Sequence, residues 1–244
     1  MERIIDTEVE RNMEFLRTNS YPGRGFIMGR SPDGDSIVQV YWLMGRSDNS
    51  RNRQLVQEDH LVKTAPIDPK KVKDPSLIIY NAMREEDDRY VVSNGKQTDT
   101  IFNAEKHLGS GFREAMFEWQ YEPDEPNYTP RITAMYDRFA GGRRPAFQIA
   151  ILSRSLLGEC VRTYYEYEVM RRGYGYCVHT YDGDGDPLPS FSQHPYLMRI
   201  KSRMPARIAL QIWQALDPDN RIAIAAKVIN QETGKSLTHI INQY

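Results

Sequence analysis

The sequence predicts an α+β fold of mostly antiparallel sheets covered by helices. Three observations lead there: many short apolar runs separated by turn residues, only a few stretches with helical periodicity, and no strict strand-helix-strand alternation. The chain has 244 residues, of which 40% are hydrophobic and 11% aromatic, enough to bury a substantial core. Its 32 basic and 33 acidic residues nearly cancel, so bulk charge gives no reason to expect nucleic acid or an anionic membrane as a partner. Any anion site must be local.

The first element is an amphipathic helix in which Ile5, Val9, Met13 and Leu16 recur at helical spacing, Thr7 and Glu10 form a capping box, and Tyr21-Pro22-Gly23 ends the pattern. Residues 1–20 are expected to be a helical extension that packs or contacts another copy, and residues 21–244 a single domain. Strands Gly25 to Met28 and Ile37 to Met44 flank Ser31-Pro32-Asp33-Gly34, a sequence suited to a tight hairpin turn. Further strand-like runs are His60 to Thr64, Leu77 to Tyr80 and Arg89 to Ser93. A helix is expected over Gly111 to Tyr121, with Phe112, Met116 and Trp119 on one face. Strands follow at Phe147 to Leu152, Thr163 to Met170, Tyr174 to Thr180 and Tyr196 to Ile200. Pro205 opens a second helix carrying Ile208, Ile212, Trp213 and Leu216, Asp217-Pro218-Asp219-Asn220 ends it, and Ile222 to Ile229 resumes the sheet.

Several apparent motifs fail on their chemistry. Gly29 to Ser36 has the glycine spacing of a phosphate loop, but Asp35 stands where lysine is required, and a carboxylate there repels phosphates. Asp182, Asp184 and Asp186 resemble the start of a calcium loop, yet Pro187 replaces the turn glycine and Gln193 the bidentate glutamate. The five histidines lack ligand spacing, so no metal is expected. Glu2 after Met1 gives no Ser, Thr or Cys nucleophile at the terminus. Cys160 and Cys177 alone do not make a disulfide framework, and no signal peptide or membrane span is discernible; a cytoplasmic location is expected.

Polar clusters in the first 135 residues carry the functional signal. Val91-Val92-Ser93-Asn94-Gly95-Lys96-Gln97-Thr98-Asp99-Thr100 sets an Asn-Gly turn after a β-branched run and follows it with short polar side chains. Gly95 permits positive φ and close approach of another molecule. Taken alone, the segment reads as a hairpin turn. Gly45-Arg46-Ser47-Asp48-Asn49-Ser50-Arg51-Asn52-Arg53 offers guanidinium groups for phosphate and amides for a base edge, or else a solvated loop. Gln120-Tyr121-Glu122-Pro123-Asp124-Glu125-Pro126-Asn127-Tyr128-Thr129-Pro130-Arg131-Ile132 holds three carboxylates and an arginine in a proline-stiffened loop, suited to proton transfer, or else its acids are merely exposed and Arg131 pairs with one of them.

Together, Tyr21-Pro22-Gly23-Arg24-Gly25, Gly45-Arg46-Ser47 with Asn52-Arg53, Tyr80-Asn81, the Val91 to Ile101 block, and Tyr121-Glu122 with Thr129-Pro130-Arg131-Ile132 resemble, in this order, the archaeal-type IMP cyclohydrolases. The resemblance is good over Tyr21 to Ile132 and looser beyond, where Leu156 to Arg172 departs from the archaeal pattern. It implies an N-terminal-nucleophile-hydrolase-like α-β-β-α sandwich without the nucleophile, and closure of formamidoimidazole carboxamide ribotide to IMP with loss of water. No cofactor is implied. By the same resemblance Arg53, Tyr80 and Glu122 are catalytic candidates. Arg24, Arg46, Asn52, Asn81, Asn94, Gly95, Thr98, Asp99 and Arg131 are candidates for holding the ribotide. Glu122 suits proton transfer and Tyr80 donation to the formyl oxygen, while Arg53 suits either the phosphate or the carbonyl. A homo-oligomer is expected. The alternative is a nucleotide-binding homologue with lost or altered chemistry.

Overall fold

The computed structural model describes residues 2–72, 79–108, 111–140 and 145–244, with side chains 105–108 left aside. The chain divides into two compact units, Met1–Arg51 with Met170–Tyr244, and Asn52–Val169. Each contains one antiparallel sheet, which agrees with the α+β expectation.

The first unit has helix α1 (Glu2–Thr18), strands β1 (Gly25–Arg30) and β2 (Ser36–Met44) and the short α2 (Asp48–Arg51). After the second unit it resumes with β10 (Tyr174–His179), β11 (Tyr196–Arg199), α5 (Pro205–Trp213), β12 (Arg221–Asn230) and β13 (Ser236–Asn242). Its six strands run in the order β11-β10-β1-β2-β12-β13. The β1–β2 hairpin forms over the anticipated turn, with Gly34 at φ 84° and its N–H donating to the Ser31 carbonyl at 3.0 Å. Helix α1 begins at Glu2, so Thr7 lies inside it and its hydroxyl donates to the Arg3 carbonyl at 2.9 Å. The Thr7–Glu10 capping box is therefore not formed. Val9 and Leu16 are buried as the helical period requires, and Asn12 donates to the Leu197 carbonyl of β11 at 2.9 Å. Helix α5 opens at Pro205 as read, and it packs on β12 and β13.

The second unit holds β3 (Arg53–Glu58), β4 (Leu61–Pro66), a 3-10 turn (Pro69–Lys71), β5 (Asn81–Glu86), β6 (Arg89–Ser93), α3 (Gln97–Leu108), α4 (Phe112–Met116), β7 (Arg131–Asp137), β8 (Phe147–Arg154) and β9 (Cys160–Tyr167). Its strands follow chain order, β3 through β9, each antiparallel to the next. Val91, Met135, Ala150 and Leu152 of the sheet bury Ile101 and Phe102 of α3 with Phe112 and Met116 of α4. The helix expected over Gly111 to Tyr121 is only five residues long, although Phe112 and Met116 are both buried. The expected strand Leu77 to Tyr80 lies largely outside the described residues, and β9 starts three residues before the run read from the sequence. Strands β3, β5, β7 and β13 were not anticipated; in β3 and β5 charged and amide residues interrupt the apolar alternation, and β7 opens on Arg131 directly after the proline-stiffened loop.

The largest local correction concerns Ser93 to Thr100. The Asn-Gly step joins β6 to helix α3 instead of turning a hairpin, and Gln97 and Thr98 are fully buried. Asn94 extends the β6–β7 ladder by one residue, its N–H donating to the Ile132 carbonyl at 3.2 Å. Its side chain brackets the start of β7: Oδ1 accepts from the Ile132 N–H at 2.9 Å, and Nδ2 donates to the Pro130 carbonyl at 2.8 Å.

Two predictions follow from buried polar groups. Asn94→Ala strands the Pro130 carbonyl and the Ile132 N–H, and unmade buried hydrogen bonds cost about 1–3 kcal/mol each. Urea unfolding should register a loss of about 2–5 kcal/mol, with substrate affinity falling alongside it. In the first unit, His179 is fully buried among Phe15, Phe191 and Tyr196, with Nδ1 3.0 Å from the Tyr181 carbonyl. Burial pushes its pKa down from 6.5 to about 3. The unfolded chain therefore binds more protons at mildly acidic pH. Stability from the neutral imidazole is complete above about pH 6.5 and is lost as pH falls toward about 3. Between about pH 7.5 and about pH 5 the unfolding free energy should drop by roughly 2 kcal/mol through this group, a contribution that His179→Phe removes.

Candidate active site

Antiparallel order in the second unit does the gathering. The starts of β3, β5 and β7 and the ends of β4 and β6 all lie at one end of the sheet, because Arg53 pairs with Pro66, Lys63 with Asn81, and Ser93 with Thr133. Arg53, Asn81, Asn94, Gly95 and Arg131, scattered over almost 80 positions in sequence, are thereby set along one rim. Tyr80 precedes β5 there, its N–H donating to Thr64 Oγ1 at 2.9 Å and its carbonyl accepting from the Thr64 N–H at 3.0 Å. Arg53 and Tyr80 are both buried.

The centre of this rim is a buried charge pair. Arg131 Nη1 lies 3.5 Å from Glu122 Oε1, and the two residues are 7% and 2% exposed. The same Nη1 donates to Gln97 Oε1 at 3.2 Å, and Gln97 Nε2 donates to Asn94 Oδ1 at 2.9 Å. Above the guanidinium lies Trp119, whose ring centroid is 4.6 Å from Arg131 Cζ. Glu122 is aimed by its loop, since its N–H donates to the Thr129 carbonyl at 2.8 Å and the Thr129 N–H donates to Asp124 Oδ1 at 2.7 Å. A carboxylate so placed can carry a proton, while the fixed guanidinium opposes its charge.

Gly95 is needed here for space. A Cβ would sit 2.6 Å from both Arg131 Nη1 and Gln97 Oε1, whereas its φ is not in the left-handed region. Of the two uses the sequence suggested for this glycine, close approach is the one realised, and the approaching group is the protein's own arginine. Ser93 Oγ and Thr98 Oγ1 share a hydrogen bond at 2.5 Å, one hydroxyl donating to the other, and the accepting hydroxyl has its own proton for the Gly95 carbonyl, which lies 2.9 Å from Ser93 Oγ and 3.2 Å from Thr98 Oγ1. These contacts hold the strand-to-helix elbow rigid.

A second cluster lies in the same first turn of α3, at Asp99. Asn81 Nδ2 donates to both carboxylate oxygens of Asp99 at 3.0 and 3.1 Å, and Arg84 Nη1 donates to Asp99 Oδ1 at 2.8 Å. Asp99 thus ties α3 to β5. Asn52 brackets the turn after β4, donating to the Asp68 carbonyl and accepting from the Asp68 N–H, each at 2.8 Å.

Arg24 and Arg46 belong to the first unit. Arg24 is buried, its backbone pinned by Thr180 on both sides: its N–H donates to Thr180 Oγ1 at 3.2 Å and its carbonyl accepts from the Thr180 N–H at 2.9 Å. Arg46 is exposed, paired with Asp184 and laid over the Tyr21 ring at 4.9 Å. The acidic loop is therefore partly neutralised by Arg46, and Asp182 accepts from the Ser192 N–H and hydroxyl at 3.0 and 2.7 Å. Cys177 is fully buried and its thiol is pushed up to about 12 by burial, which leaves it unreactive.

The sequence reading passed over two buried polar side chains. Gln97 links the Asn94 bracket to the charge pair, and its signal was the position three residues past Asn94 at the opening of α3. Lys227 is 3% exposed on β12, in register with Gln39 of β2 and Thr238 of β13. Its signal was a lone lysine inside the apolar run Ile222 to Ile229.

A Methanopyrus kandleri protein named IMP cyclohydrolase is 37% identical over 123 residues, which is 48% of this chain and 59% of the relative. The Methanocaldococcus jannaschii and Haloquadratum walsbyi proteins of the same name are 34% and 31% identical, each over 121 residues, covering 48% and 47% of this chain and 57% and 56% of theirs. The matched stretch thus spans a little over half the length of these relatives. The family described as IMP cyclohydrolase-like protein matches residues 21–234, nearly everything after α1. The chain belongs to the IMP cyclohydrolase-like family.

Proposed function

We propose that this protein closes formamidoimidazole carboxamide ribotide to IMP, releasing water, as the last step of de novo purine synthesis. The observation that carries the reading is the buried Glu122 carboxylate held against Arg131 at the sheet end where Arg53 and Tyr80 also lie. Family membership and the names of the archaeal relatives support it.

In the reaction the carboxamide nitrogen attacks the formyl carbon, a carbinolamine forms, and its hydroxyl leaves as water. Proton movement accompanies each stage, and negative charge builds on the formyl oxygen. Glu122 takes the proton from the attacking nitrogen and returns one to the departing hydroxyl. Tyr80 donates to the formyl oxygen. Arg53 binds the phosphate or polarises the carbonyl, and the rest of the rim, Asn52, Asn81, Asn94, Gly95, Thr98, Asp99 and Arg131, shapes the pocket. Because both reacting groups sit on one imidazole ring, holding the formamido group in its cyclising conformer supplies much of the rate. The reading brings with it the sandwich arrangement of the family's sheets, a cytoplasmic setting and a reaction that needs no cofactor. No helix among the described residues is long and apolar enough to cross a membrane.

One observation favours a second reading: the stretch shared with the archaeal relatives covers about half of this chain, which leaves room for altered chemistry on a retained nucleotide pocket.

The test mixes purified protein with the formamido ribotide in chelator-treated buffer and follows the purine absorbance. Turnover is expected, and Glu122→Gln should lower kcat by about 10²- to 10⁴-fold while KM changes far less. Absence of turnover with tight IMP binding in calorimetry selects the second reading, and absence of both removes the proposal.

A further inference from the structure

Strand β9 ends the seven-stranded sheet, and among the described residues no strand pairs with its outer edge. Sheet edges carry outward-facing N–H and C=O groups, which proteins ordinarily blunt with proline, bulges or charged side chains. Cys160-Val161-Arg162-Thr163-Tyr164-Tyr165-Glu166-Tyr167 has no proline or bulge, pairs with β8 in unbroken register over all eight residues, and carries charge only at Arg162 and Glu166. Apolar side chains gather beside it. Leu156 and Leu157 stand fully out at the tip of the β8–β9 hairpin, Val161 is 45% exposed, and Phe117 is 66% exposed against the strand, with Arg162 Nη2 donating to its carbonyl at 3.3 Å.

We propose that β9 is the dimer seam of this protein, pairing antiparallel with β9 of a second copy about a two-fold axis through Tyr164. Charge on the strand selects that occupant. The only two charged residues of β9 are opposite in sign and lie two positions on either side of Tyr164, both on the face that carries α4. A two-fold axis normal to the sheet keeps each face on its own side and joins the same patch to itself. Arg162 then faces Glu166 of the partner subunit, and the reciprocal pair forms by symmetry. On the other face Thr163 meets the partner's Tyr165 and Val161 meets the partner's Tyr167, β-branched against aromatic, which is a favourable cross-strand combination. Shifting the axis to Thr163 or Tyr165 sets Arg162 against Tyr164 of the partner subunit or sends it beyond the strand, and the matched charges are lost. Glu166 already accepts from Arg113 Nε at 2.9 Å, so the partner's Arg162 completes a three-membered ionic network across the seam.

Sedimentation velocity and light scattering on the full chain test this over a wide range of concentration. The expected species is a dimer. Arg162→Glu and Glu166→Arg each oppose like charges twice across the axis and should raise the dissociation constant at least about tenfold, whereas the double exchange Arg162→Glu with Glu166→Arg restores the dimer. Circular dichroism confirms that each variant is folded. Thr163→Lys, at a half-exposed position, replaces any charge variant that is not, and should likewise weaken the dimer. A monomeric wild type overturns the proposal. So does a dimer indifferent to these changes, or one that the double exchange fails to restore.

Discussion

A carboxylate and a guanidinium buried together constrain everything around them. Glu122 and Arg131 are almost fully withdrawn from water, and removing either partner of such a pair typically costs about 3–5 kcal/mol because the other is left charged and alone. The rest of the rim supports that pair. Gln97 and Trp119 fix the guanidinium, Asn94 fixes Gln97, and the backbone of Pro130 and Ile132 fixes Asn94. The circuit closes on itself, since the Glu122 N–H reaches Thr129 just ahead of those residues. A polar network with its members paired is stiff, and it holds the Glu122 carboxylate in one place.

The network also accounts for choices that otherwise read as arbitrary. Gly95 is a glycine because Arg131 and Gln97 occupy the space of its Cβ. Ser93 and Thr98, both fully buried, satisfy each other by a hydroxyl–hydroxyl bond inside the elbow beside the Gly95 carbonyl. Asp99 lies one helical position beyond and is spent on Asn81 and Arg84, anchoring the helix that carries Gln97. In the structure the side chains of this segment serve the protein's own framework, tying β6, β7 and α3 together.

A comparable economy governs the two units. In the first, α1 and α5 cover a six-stranded sheet, and one histidine is held neutral by aromatic neighbours. In the second unit, among the described residues, no strand pairs with the outer edge of β9, whose two charges, Arg162 and Glu166, are opposite in sign.

Sequence alone determined the α+β class, the hairpin at Ser31 to Gly34, the start of α5 at Pro205, the burial stripe of α1, and the polar blocks from which the candidate site is drawn. These are local matters: turn chemistry, proline geometry and side-chain period are set by neighbours within a few residues. Strands β3, β5 and β7 were hidden because Arg53, Asn81 and Arg131 sit at their first positions and made rim residues look like loop. Helix α3 was hidden because Gln97, Thr98 and Asp99 look solvent-facing until partners from distant strands bury and satisfy them. Tertiary structure alone decided that Glu122 meets Arg131, that Asn94 serves the backbone, and that Gly95 makes room. The reason is that each of these depends on the antiparallel register of strands far apart in the chain, and a single residue's slip would turn every one of those side chains to the other face.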